Sequence, residues 1–118
     1  MQRLAAHNWR MKMTDREMLE FAAKAAGVHP HDIECTWNSL VDDAQAMRLK
    51  VRLHLIVGSY ATYSSVSGTY TPDGYEVPDE TVVWHHETGG DARSAERLAI
   101  TRCAAAIGAA MQASEAVG

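Results

Sequence analysis

Apolar and polar positions alternate with two different periods along this chain, and the clearest pattern lies near its C-terminal end. From Asp91 to Gln112, Ala95, Ala99, Ile100, Cys103, Ala106, Ile107, Ala110 and Met111 fall on one stripe at 100° per residue. Ser94, Thr101 and Gln112 lie opposite, and Arg97 sits towards the flank. The spacing predicts one long amphipathic helix capped by Asp91, whose carboxylate can accept from the unsatisfied N–H groups of the first turn. The stripe is dominated by alanine, so this helix can lie close to whatever covers it.

A second helix signal opens at Thr14-Asp15-Arg16-Glu17, a capping box in which the Thr14 and Glu17 side chains each reach the other's backbone N–H. Met18, Leu19, Phe21, Ala22 and Ala25 continue it, and Gly27 followed by Val28 and Pro30 ends it. After a linker over 29–37, Asn38 or Ser39 can cap a further helix, with Leu40, Ala44, Met47 and Val51 at helical spacing. The same stretch also alternates: Leu49, Val51, Leu53 and Leu55 stand against Arg48, Lys50, Arg52 and His54. The reading here is a helix that hands over to a strand at about Val51, with the strand ending near Gly58-Ser59. A half-exposed second strand is expected within 60–70, rich in Tyr, Thr, Ser and Val, before a Pro72-Asp73-Gly74 turn. A third strand is expected over Thr81–Glu87, with Val82 and Trp84 turned inward. The fold class is therefore α+β in the order α-α-β-β-β-α, a small antiparallel sheet of about three strands sandwiched with two to three helices.

Composition narrows the class without naming an activity. At 118 residues, 47% apolar and 22% charged, the chain suits one globular domain and argues against disorder. A formal net charge of −4 is the wrong sign for a general nucleic-acid binder and too small for an acidic mimic of DNA. No apolar run approaches the ~20 residues that span a bilayer. Residues 1–12 are basic and lack the hydrophobic region of a secretory signal. They read as an extension ahead of a domain covering 13–118. Cys35 and Cys103 form no motif and are expected as reduced thiols, Cys103 buried in the helical stripe.

Candidate chemistry is sparse. His85 and His86, adjacent on a strand, would point to opposite faces and could not share one metal. His29 and His31 flank a proline and could share a face, but two ligands do not make a site. Asp42-Asp43 reads as a favourable pair for a helix dipole, without a third ligand. Ser64-Ser65 has no nucleophile-elbow context, and Thr88-Gly89-Gly90-Asp91 is not a phosphate loop. The candidate binding surface is the alternating Arg48, Lys50, Arg52 and His54, which on a strand would line one face and could meet an acidic partner or phosphates. Trp9 and Trp37 are each readable as a core plug or as an exposed anchor. No cofactor or metal is expected. Two classes of function follow: a non-enzymatic protein-binding or self-associating module, expected as a homodimer, and a small metal-dependent hydrolase using His29, His31, Asp42 or His86.

Three pieces together resemble a known group. They are Thr14-Asp15-Arg16-Glu17-Met18-Leu19; Trp37-Asn38-Ser39-Leu40-Val41-Asp42-Asp43-Ala44 through Arg48-Leu49; and Asp91 with Ala95, Arg97, Ala99-Ile100, Arg102, Ala104-Ala105 and Ile107-Gly108. The chain resembles the phage ABA sandwich domain, found in small proteins of temperate phages, over most of residues 13–112. It departs from that pattern at Ala44 and His54, where glycine is usual. The resemblance implies an α/β sandwich encoded by a phage or prophage and working in the bacterial cytoplasm. The family has no established activity, so no catalytic residue is transferred.

Overall fold

The computed structural model describes residues 13–29, 37–68 and 79–117. Helix α1 spans Asp15–Ala26, α2 spans Asp43–Arg52 and α3 spans Ala92–Val117. Strands β1 (Ile56–Ser59), β2 (Tyr63–Gly68) and β3 (Asp79–Trp84) lie between α2 and α3. The order is the expected α-α-β-β-β-α. The Pro72-Asp73-Gly74 turn, the 1–12 extension with Trp9, and His31 and Cys35 lie outside the described residues.

Helix α1 begins and ends where its local chemistry dictates. Thr14 Oγ1 accepts from the Glu17 N–H at 3.1 Å, and Glu17 Oε1 accepts from the Thr14 N–H at 3.1 Å. The second of these bonds, with the one to the Thr14 hydroxyl, holds the Glu17 carboxyl below its usual range. At the other end Gly27 takes φ 75°, and the Val28 N–H bonds the Ala23 carbonyl at 2.9 Å, closing the helix with a left-handed residue that glycine adopts without cost.

Helix α3 is the middle layer. Helix α1 packs along one side of it, the inner face of the sheet along another, and α2 beside its first half. That position explains its composition. Ala95, Ala99, Ala104 and Ala105 are fully buried with Ile100, Cys103 and Ile107, so the buried surface extends well beyond the expected stripe. Thr101, expected on the solvent side, is 0% exposed, and its hydroxyl bonds Ser39 Oγ at 2.8 Å. A helix covered on several sides must pair every polar group that it turns inward. Replacing Thr101 by Val keeps the shape and strands the Ser39 hydroxyl, so a loss of about 1–3 kcal/mol is expected in denaturant unfolding. A loss within a few tenths of a kcal/mol would mean that Ser39 finds another partner.

Close approach is built into the α1–α3 contact. A Cβ at Gly108 would stand 1.8 Å from the Phe21 carbonyl oxygen. On the sheet side Gly68 plays a milder version of this role, since a Cβ there would meet Leu55 Cδ2 at 2.7 Å and Ile107 Cδ1 at 3.3 Å. Asp91 caps α3 as expected: its Oδ1 accepts from the Arg93 N–H at 3.3 Å, and its Oδ2 accepts from the Ser94 hydroxyl. The Ser94 bond is the main reason that the Asp91 carboxyl sits below its usual range. The cap is therefore in place at neutral pH and is lost on acidification as the carboxylate protonates.

The three strands form an antiparallel sheet in the order β1-β2-β3, with Tyr63 opposite Trp84 and Val57 opposite Val66. Ser64, Val66 and Gly68 face α3, while Tyr63, Ser65 and Ser67 face away. Two expectations are corrected here. Strand β3 turns Thr81 and Val83 inward and leaves Val82 and Trp84 outward, at 39% and 46% exposure. The register sets this: Val83 is the partner of buried Ser64, and Trp84 is the partner of outward-facing Tyr63. The strand also stops at Trp84, and His85–Thr88 form a 3-10 turn instead.

The larger correction concerns residues 48–54. Helix α2 continues to Arg52, and β1 does not start until Ile56, so Arg48, Lys50, Arg52 and His54 do not line a strand face. Asp42 caps the helix by accepting from the Gln45 N–H at 3.1 Å, not Asn38 or Ser39. Asn38 instead accepts from the Leu40 N–H at 3.0 Å, forming an Asx turn ahead of the helix. The buried residues of α2 are Ala46 and Leu49, with Leu53 following, about half a turn around the helix from the expected Ala44–Met47–Val51 stripe. His54, at φ 55°, turns the chain from helix to strand.

Candidate interaction surfaces

Among the described residues, those suggested by sequence as catalytic or metal-binding do not converge. Among the described residues no group of three or more His, Cys, Asp or Glu is placed to hold a metal ion. His85 and His86 lie in the 3-10 turn, and His29 follows α1 at the far side of the linker. Asp42 is occupied as a helix cap, and Asp43 forms ion pairs with Arg93 at 3.2 Å and with Arg97. Trp37 is half-buried and packs against Leu19, Ala23 and the main core, in the role of a plug. Among the described residues no helix is long and apolar enough to cross a membrane.

What the fold leaves exposed is more informative. Among the described residues, helices cover only the inner face of the sheet, and the outer face carries an aromatic row. Tyr60 folds back over Gly58, where a Cβ would meet its ring at 2.9 Å. The Tyr60 ring then stacks on Tyr63 at 4.7 Å between centroids, and Tyr63 tilts against Trp84 at 5.1 Å. Ile56, at 71% exposure, and Val82 complete this face on the two outer strands. Antiparallel register makes the row, because Tyr63 and Trp84 are direct cross-strand partners. On the central strand the polar residues of this face, Ser65 and Ser67, are small and uncharged, and the register places Glu80 opposite Ser67 at the end of the face away from Trp84.

A second exposed apolar area lies on α2. Met47 (47%) and Val51 (66%) project from the side of the helix opposite its buried stripe, beside exposed Ala44, and Val41 (70%) is exposed in the turn just ahead of the Asp42 cap. Beside Met47 a cleft of about 330 Å³ opens between α2 and α3, with Ala46 and Ile100 among its walls. Arg97 braces this region from within: its guanidinium donates to the Leu40 carbonyl at 2.9 Å and to Asp43, and is only 17% exposed. Glu96, also on the cleft, accepts from Ser59 Oγ at 2.8 Å and ties α3 to β1.

Comparison with family models, with curated proteins and with solved structures finds no match for this chain.

Proposed function

We propose that the protein is a non-enzymatic accessory module that works by binding protein, and that it associates with a second copy of itself through the open face of its sheet. The observation that carries this reading is the solvent-exposed row Tyr60–Tyr63–Trp84 with Ile56 and Val82 beside it. Aromatic rings supply large contact area at small entropic cost and dominate the energetics of interfaces. Exposed contiguous apolar surface marks interaction sites, and the outer strands, which have no further partner among the described residues, add backbone groups for a partner to meet. Two-fold pairing of one face with itself is the commonest way for a small domain to cover such a surface. The resemblance of its helix motifs to those of phage ABA sandwich proteins is what supports the further reading of a phage or prophage origin and of work in the bacterial cytoplasm.

Light scattering on the purified protein at micromolar concentration tests the association, with a mass of about twice 12.9 kDa expected. Trp84→Glu should return the mass to that of one chain without lowering the melting temperature of the fold, because the side chain is half-exposed. A single-chain mass for the parent protein, or a dimer indifferent to Trp84→Glu, would rule out this face.

A further inference from the structure

We infer that α2 is a second docking surface, for an acidic amphipathic helix of a partner protein, separate from the sheet face. The sequence of α2 carries two apolar stripes about half a turn apart, and only one is used by the fold. Ala46 and Leu49 are buried, whereas Ala44, Met47 and Val51 face solvent. A surface helix needs only one apolar side to hold it to its core. The second stripe therefore adds nothing to the stability of this domain, and it exposes apolar surface that a partner helix can cover at i, i+3 and i+7.

Charge selects the partner. At 100° per residue Arg48 and Arg52 lie along one border of the exposed stripe, and Arg93, 82% exposed, rises across the cleft on the other side. Arg48, Lys50 and Arg52 have no ion-pair partner among the described residues. The acids nearby are engaged: Asp42 caps α2, Asp43 holds Arg93 and Arg97, and Glu96 receives the Ser59 hydroxyl. A chain whose formal net charge is −4 thus presents a local basic border around an apolar strip. Glutamates flanking the apolar face of a partner helix would meet these cations. One of its large apolar side chains would enter the cleft against Met47 and Ile100. A flat anionic bilayer could meet the cations too, but it would leave the cleft empty, and α2 has only 10 residues.

The test uses two synthetic helical peptides sharing leucines at i, i+3, i+4 and i+7, one with glutamate at the remaining positions and one with lysine. Each is titrated into isotope-labelled protein and followed by backbone amide shifts. The acidic peptide should perturb Ala44, Met47, Val51 and Ile100. It should bind at least about tenfold more tightly than the lysine peptide, and the advantage should shrink with added salt. Met47→Glu with Val51→Glu should abolish the shifts, and Arg48→Glu with Arg52→Glu should weaken binding by a similar factor while both variants melt like the parent. Trp84→Glu should leave peptide binding unchanged, which separates this surface from the sheet face. Equal response to both peptides, shifts confined to the sheet, no shifts at all, or co-sedimentation with phosphatidylserine vesicles through Met47 and Val51 would each overturn the inference.

Discussion

Cys103→Asp is expected to abolish folding. The thiol is fully buried at the centre of α3, facing Gly68 across the sheet interface with Leu55 and Ile107 around it. A carboxylate placed there loses its water and gains no cationic partner, a cost of about 5 kcal/mol or more even after its pKa rises to neutralise it. Domains of this size are stable by only about 5–15 kcal/mol in all. Circular dichroism of the variant should show a largely unfolded chain at room temperature. Cys103→Ala, which removes one sulfur and leaves a small void, should cost only about 1–2 kcal/mol and keep a cooperative melt. If Cys103→Asp melts like the parent, α3 is turned the other way and the layer order is wrong.

Gly108→Ala should be the second most damaging single change, although a helix-propensity argument gives the opposite sign. In an exposed helix the substitution would gain about 1 kcal/mol. Here the new methyl would meet the backbone of α1, since its position lies 1.8 Å from the Phe21 carbonyl oxygen and 2.7 Å from the carbonyl carbon. Backbone cannot rotate aside as a side chain can, so the two helices must separate along a contact lined by Ala22, Ala25, Ala104 and Ala105. We expect a net loss of about 3 kcal/mol, the upper part of the range for overpacked cores. Thermal unfolding of the variant should fall by roughly 10–20 °C. A rise in melting temperature would show that the helices stand further apart than described.

Much of the architecture can be read from the sequence, and the reasons are local. Thr14, Glu17 and Gly27 bracket α1 with side-chain and backbone chemistry that needs no tertiary context, and Asp91 does the same for the start of α3. Helix α2 was harder because Leu49 and Leu53 satisfy helical and alternating periods alike, and because its two apolar stripes differ only in which one the rest of the fold covers. The cations of the suggested binding surface, Arg48 and Arg52, do border an apolar strip, but on a helix beside Met47 and Val51 instead of along a strand. The aromatic row was not legible at all. It depends on the pairing of Tyr63 with Trp84, and register is a property of two strands that neither sequence states alone. Facing in β3 depended likewise on pairing, which sets Thr81 and Val83 opposite the buried Val66 and Ser64 and leaves Trp84 beside Tyr63.

The central position of α3 also bears on the order in which the chain is made. Helix α1 and the sheet lie on different sides of α3 and meet chiefly through it, yet α3 is synthesised after both. A nascent chain ending before Ala92 holds two apolar surfaces with nothing between them. The domain therefore cannot consolidate progressively from its N-terminus as it emerges from the ribosome, and it commits to its native state only when the final helix is free to insert. Until then Met18, Val66 and Val83 are open to chaperones, and a separately supplied α3 peptide would be expected to rescue a fragment stopped at Gly90.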